Sequence, residues 1–179
     1  MSDPSKFQVV YKGRVHRLGD NVDTDQIMPG KYLTVLDRAE LAKHCLEGYD
    51  PDWATKKAKA GDVIVGGHNF GCGSSRESAP VSIKAVGISV VLAESFARIF
   101  FRNSINIALP VMVCPGVSAA FKDGEELEVD IDSGVVKNLT TGKSLKAEAL
   151  PPNIQHILKQ GGLVEVTKAK LAGASVAWA

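Results

Sequence analysis

Asp62-Val63-Ile64-Val65-Gly66 runs without a break into Gly67-His68-Asn69-Phe70-Gly71-Cys72-Gly73-Ser74-Ser75-Arg76-Glu77-Ser78-Ala79-Pro80. The first part is a short β-branched apolar run and reads as a buried strand. The second holds three glycines, two adjacent serines and an Arg-Glu pair, the composition of a sharp turn entering a helix. That helix is expected from near Arg76 or Ser78 to Val86, where Gly87 stops it. Ile88 to Ala93 and Leu109 to Val113 are further apolar runs, with a helix from Phe96 to Ile105, capped by Ser95, between them. Two consecutive strand–helix–strand units predict an α/β fold with a parallel sheet core.

Beyond Pro115 the pattern changes. Glu126 to Ile131 alternates strictly, and Val135-Val136 and Ser144 to Ala147 follow as short strands, which predicts a small antiparallel β layer. Pro151-Pro152-Asn153 opens a helix from Ile154 to Gln160, ended by Gly161-Gly162. Toward the N-terminus, Phe7 to Leu18 reads as two short strands about a Lys12-Gly13 turn. Asp20, Asp23 and Asp25 mark Gly19 to Gln26 as a loop pinned by turn hydrogen bonds. Asp37 caps a helix from Arg38 to Glu47 that stops at Gly48, and a second helix runs from Asp52 to Ala60. Residues 1–168 form one domain, and 169–179, small and weakly patterned, form a flexible C-terminal tail.

A chain of 179 residues with 45% apolar and 23% charged residues suits one soluble globular domain. A formal net charge of +1 gives no reason to expect nucleic acid or an anionic membrane surface. No apolar run approaches the length that crosses a bilayer, and the first residues lack the apolar core of a signal peptide. Cys45, Cys72 and Cys114 are odd in number and widely spaced, which argues against a disulfide framework, a zinc site or a self-contained iron–sulfur site. The expectation is a reduced, cytoplasmic protein that binds no metal or cofactor itself and has no nucleic-acid or membrane partner.

The glycine-rich turn completes none of the familiar phosphate or nucleophile motifs. Gly71-x-Gly73 after a strand, with Glu94 near the distance of a ribose acid, starts a dinucleotide pattern, but Arg76 stands where the third glycine packs helix on strand. Ser-Ser-Arg-Glu is not the Gly-Lys-Ser/Thr of a phosphate loop, and neither serine sits in G-x-S-x-G. A carboxylate site is the better functional reading. Amides at a helix N-terminus attract anions, Arg76 offers two parallel donors, and the glycines let a substrate approach the backbone. A serine acts as a base there if its alkoxide is stabilised. Residue chemistry alone leaves this reading open beside a plain helix start in which Arg76 pairs locally with Glu77.

Three stretches carry a resemblance: Asp20-Asn21-Val22-Asp23-Thr24-Asp25-Gln26-Ile27 with Pro29, Asn69 to Glu77, and Ser95 to Phe100. In this order they resemble the aconitase superfamily, over about Phe7 to Lys168, and the length is similar to its separate small subunits. The resemblance implies a swivelling β/β/α domain, like the C-terminal domain of aconitase. It implies a hydro-lyase that interconverts 2-isopropylmalate and 3-isopropylmalate by dehydration and rehydration through isopropylmaleate, as in leucine biosynthesis. It also implies a large iron–sulfur subunit as partner, in a heterodimer or heterotetramer. The [4Fe-4S] cluster, acting as a Lewis acid on the substrate hydroxyl, is expected on that subunit.

By resemblance Ser74 is the base that removes the proton beside a substrate carboxylate, Ser75 and Arg76 bind that carboxylate, and Asp25 belongs to the site's shell. Thr34, Val35 and Leu36 lie in the loop where relatives choose among substrates, and users of tricarboxylates often carry an arginine there. An apolar Val35-Leu36 edge favours a branched alkyl dicarboxylate, since an unpaired third carboxylate would be costly to bury. Homoaconitate, citramalate and dimethylmalate hydratases remain alternatives, as does a non-catalytic module that binds a carboxylate or nucleotide. Ser78 stands where relatives often have histidine. Arg98 and Arg102 are assigned to helix contacts or a subunit interface, His68 to a structural role and Cys72 to packing.

Overall fold

Four strands, β1 (Val10–Arg17), β2 (Val63–Gly66), β3 (Val90–Ala93) and β4 (Val111–Val113), lie parallel in the order β4-β3-β2-β1 in the computed structural model, which describes residues 7–173. β1 pairs on its other side, antiparallel, with β5 (Glu126–Asp130), followed by β6 (Val135–Asn138) and β7 (Ser144–Lys146). The parallel core and the antiparallel strands are therefore one seven-stranded mixed sheet joined at β1. Every residue of β2 and β3 is buried, so both faces of these continuous apolar strands are covered. Each Val, Ile or Leu there stabilises the fold by roughly 1.5–3 kcal/mol through burial.

β1 is continuous through Gly13, where two strands and a turn were expected. Gly13 pairs in register with Leu127, and a Cβ there would lie 2.1 Å from the Gly61 carbonyl oxygen. The glycine marks a close approach of two backbones inside the strand. After β1 the aspartate-rich segment holds a short helix, α1 (Thr24–Ile27), rather than only a loop. Asp23 accepts from the Gln26 amide at 2.8 Å and Gln26 Oε1 from the Asp23 amide at 3.0 Å, a reciprocal capping box.

α2 (Arg38–Lys43) begins at Asp37, whose side chain accepts from the Glu40 amide, but ends well before Glu47. The chain turns at Leu46, which adopts φ 57°, so that the Leu46 amide reaches the Ile27 carbonyl at 2.7 Å. Gly48 then passes so close to α1 that a Cβ would lie 2.5 Å from the Asp25 carbonyl oxygen. The second expected helix shrinks to one wide turn at Trp53–Lys57, which buries Trp53 edge-on to the His16 ring, 4.9 Å between centroids.

α3 (Ser78–Ala85) packs on α2, and α4 (Arg98–Asn106) starts two residues later than expected. Ser95 does not cap α4; its Oγ accepts from the Asn69 amide at 2.9 Å and so braces the glycine-rich turn. A short helix, α5 (Val117–Ala120), precedes β5, and α6 (Pro152–Lys159) and α7 (Leu163–Leu171) pack against α4. α7 was not expected, and it carries helix three residues into the segment read as a flexible tail. Gly162 docks its start so closely that a Cβ would lie 2.6 Å from the Asn106 carbonyl oxygen. The expectation for 174–179 lies outside the described residues. No helix among the described residues is long and apolar enough to cross a membrane.

Candidate active site

The glycine-rich turn leaves the C-terminal end of β2, and Ser95–Phe96 leave that of β3, so both meet where ligands bind in open α/β sheets. Phe70 pairs with Phe96 in an isolated parallel bridge, and the ring of Phe70 meets Phe100 edge-on at 5.4 Å. On its other flank the turn is bonded to the aspartate-rich segment. Asn21 N–H donates to the His68 carbonyl, Gly71 N–H to Val22, and Thr24 N–H to Cys72, each at 2.8 Å. Asp20 Oδ1 accepts from the His68 amide at 2.7 Å. Two segments about fifty residues apart thus form one rigid unit.

Gly67 and Gly71 serve this packing, whereas Gly73, beside Ser74, is exposed. A Cβ on Gly67 would lie 1.9 Å from Asp20 Oδ1, and one on Gly71 2.1 Å from the Phe100 ring, where φ is +76°. Both positions face protein.

Arg76 is the centre of what the fold assembles. Its Nη1 donates to Asp25 Oδ1 and, at 3.1 Å, to the Met28 carbonyl. Its side chain is 13% exposed, while Asp25 is 62% exposed. The Arg76 hydrogen bond holds the Asp25 carboxyl below the usual carboxylate range. All its side-chain hydrogen bonds fall on Nη1, so Nε and Nη2 have no hydrogen-bond partner among the described residues. Gly30 borders Nη2, 3.8 Å from where a Cβ would stand. The alternative in which Arg76 pairs with Glu77 is not what the structure has.

Ser74 and Ser75 are exposed at the mouth of this unit. Thr24 Oγ1 donates to the Ser74 carbonyl at 3.1 Å, and the Arg76 amide donates to it at 2.8 Å, which fixes the serine backbone. No side chain caps the start of α3, leaving a helix N-terminus beside Ser74 and Ser75 that favours negative charge. Ser78 Oγ is buried and has no hydrogen-bond partner among the described residues.

The loop that follows Gly30 is anchored at one point. Tyr32 stacks on His44 at 3.8 Å and donates to Glu47 Oε2 at 2.8 Å, while Lys31 Nζ bonds the same carboxylate at 2.7 Å. Lys31 above all, aided by Tyr32 and His44, pulls Glu47 down to about 2. Val35 packs against the core, Thr34 is exposed, and Leu36 is 91% exposed. Asp25, Ser74, Ser75 and Arg76 are thus brought together. Thr34, Val35 and Leu36 follow in the loop after Gly30, which borders Asp25 Oδ1 and Arg76 Nη2.

Sequence reasoning missed the Met28 carbonyl, Thr24 and the Lys31–Tyr32–His44–Glu47 anchor. The Asp23-x-x-Gln26 capping pattern was the one available signal, since it orients Thr24 and Asp25. Glu94, the ribose-acid candidate, accepts from the Gly116 amide at 2.7 Å and the Ser118 amide at 2.9 Å, and so caps α5. Burial alone would raise its carboxyl, but these bonds together lower it. That use removes the main support for a dinucleotide site. Among the described residues no three His, Cys, Asp or Glu side chains converge to hold a metal. Cys45 and Cys114 are buried, with thiols pushed up to about 12 chiefly by burial, so they do not fit a cluster.

This geometry defines a domain of the aconitase C-terminal type, and the family described as aconitase C-terminal domain matches residues 48–114. A 3-isopropylmalate dehydratase small subunit of Methanopyrus kandleri is 56% identical over 159 residues, 89% of this chain and 93% of that protein. A 2,3-dimethylmalate dehydratase small subunit of Eubacterium barkeri is 53% identical, over 88% of this chain and 96% of that protein. The crystal structure of a Methanocaldococcus jannaschii 3-isopropylmalate dehydratase superposes with a TM-score of 0.86 at 47% identity, over 92% of this chain and 97% of that one. The chain belongs to the family of 3-isopropylmalate dehydratase small subunits.

Proposed function

We propose that this chain is the small subunit of a cytoplasmic hydro-lyase that interconverts 2-isopropylmalate and 3-isopropylmalate, active only with a large iron–sulfur subunit. The observation that carries the reading is the posture of Arg76. Asp25 and the Met28 carbonyl occupy one guanidinium nitrogen and leave Nε and Nη2 for a carboxylate. Ser75 adds a hydroxyl to the same carboxylate, and Ser74 takes the proton from the carbon beside it. As that C–H bond breaks, negative charge spreads onto the carboxylate, so Arg76 and the start of α3 attract the transition state more than the substrate. Positive charge at Arg76 also favours loss of the Ser74 hydroxyl proton.

The [4Fe-4S] cluster belongs, on this reading, to the large subunit, and no step assigned to this chain passes through it. The exposed apolar Leu36 and the absence of a cation from Leu33 to Leu36 suit an alkyl group rather than a third carboxylate. A dimethylmalate-type substrate is the second reading, favoured by the 53% identical relative of that name. The test is a dehydration assay with a cluster-loaded large subunit, with and without this chain. Ultraviolet absorbance follows the unsaturated product from 3-isopropylmalate, 2,3-dimethylmalate and homoisocitrate in parallel. Turnover that needs both chains and prefers 3-isopropylmalate is expected. Preference for dimethylmalate would select the second reading, and none with any substrate would leave a binding module.

A further inference from the structure

The end of α3 remote from Ser74 and Arg76 borders a separate cavity of about 500 Å³. Small-ligand sites span roughly 300–1,000 Å³. Val81, Val86 and Ile107 give it an aliphatic wall, and two cations, Arg38 and Lys84, enter it. Among the described residues no Asp or Glu lines it. Lys84 is half-buried and donates only to the Ile107 carbonyl, and neither it nor Arg38 forms an ion pair among the described residues. This differs from Lys31, Lys43, Lys56 and Lys57, each of which pairs with an acid.

An ammonium partly removed from water beside a second cation is costly unless a negative charge joins it. Burial first, and then the charge of Arg38, hold Lys84 below its usual pKa. The two cations and the aliphatic wall ask for different halves of one molecule. We propose that this cavity binds a small monoanion with a short aliphatic body, its carboxylate between Lys84 and Arg38 and its alkyl part against Val81, Val86 and Ile107. The site is distinct from the Arg76 site, which lies beyond the other end of α3.

Isothermal titration of the full chain, alone and assembled with its large subunit, tests this with isovalerate, isovaleramide and inorganic phosphate. Isovalerate is expected to bind in both forms, at least tenfold more tightly than the neutral amide or the phosphate. Lys84→Met keeps the alkyl stem and is expected to weaken isovalerate at least tenfold. Arg38→Gln does the same at an exposed position, so the test survives if Lys84→Met fails to fold. Four results would overturn the proposal: no binding of isovalerate, equal binding of amide or phosphate, binding untouched by both substitutions, or binding that vanishes on assembly. Loss of isovalerate binding in Arg76→Lys alone would also overturn it, by moving the ligand to the Ser74 site. Because the readout is binding, failure here is separable from failure of the dehydration assay.

Discussion

Replacing Arg76 with lysine keeps the charge and removes the fork, and the structure says what that costs. Nη1 serves Asp25 and the Met28 carbonyl, and on the proposed reading Nε and Nη2 take the substrate carboxylate. A single ammonium cannot hold Asp25 and present two parallel donors at once. At least one charge-assisted hydrogen bond to substrate is lost, about 1.5–3 kcal/mol. At about 1.4 kcal/mol per decade, this lowers kcat/KM roughly 10- to 150-fold. Part of the loss should appear in kcat, because the carboxylate gains charge as the proton leaves. The assay is steady-state dehydration of 3-isopropylmalate by the assembled enzyme, with circular dichroism and urea unfolding to show that the fold is kept. A kcat/KM within threefold of the parent would refute the carboxylate role of Arg76.

Gly71→Ala forces a side chain into φ +76° and onto the Phe100 ring, costing roughly 1–2 kcal/mol for the conformation and 1–3 for overpacking. With a urea slope of about 2 kcal/mol/M the midpoint falls by roughly 1–2.5 M. Gly19→Ala, which meets nothing within 4 Å, is the control and stays near the parent. Glu47 is held at about 2 against an ordinary 4.5, so its stabilisation is complete above pH 4.5 and fades as pH falls toward 2. Thermal melting across that window should therefore be less pH-dependent in Glu47→Gln. Leu36→Ala removes exposed apolar surface from the loop proposed to select substrate and is expected to reduce the preference for isopropyl over methyl malates roughly tenfold in competing-substrate assays, with melting unchanged.

The parallel core was legible because its signals are local. Val63 to Val65 and Val90 to Ala93 are short β-branched runs, and the turn into α3 announces itself in glycine and serine. What escaped depends on distant neighbours. Gly13 looks like a turn until Gly61 is seen lying against it, and Gly48 looks like a helix stop until the Asp25 backbone is found there. Ser95 resembles a cap, yet its hydroxyl is claimed by Asn69 on another strand's loop. The α1 helix is a different failure, because the Asp23-x-x-Gln26 capping box was readable and the three aspartates drew attention to a loop instead. The candidate site divides in the same way. The serines and Arg76 were visible as chemistry, but the Asp25–Arg76 pair spans 51 residues, and only family resemblance hinted that the two segments meet.

The central claim is that this chain brings the base, and Ser74→Ala measures that most directly. In the assembled enzyme, kcat for 3-isopropylmalate and the equilibrium affinity for the same ligand would be determined side by side. A catalytic serine predicts that turnover falls roughly 10²- to 10⁴-fold, while affinity, carried by Arg76 and Ser75, stays within about threefold of the parent. Turnover preserved within tenfold, or affinity lost as far as turnover, would contradict the account.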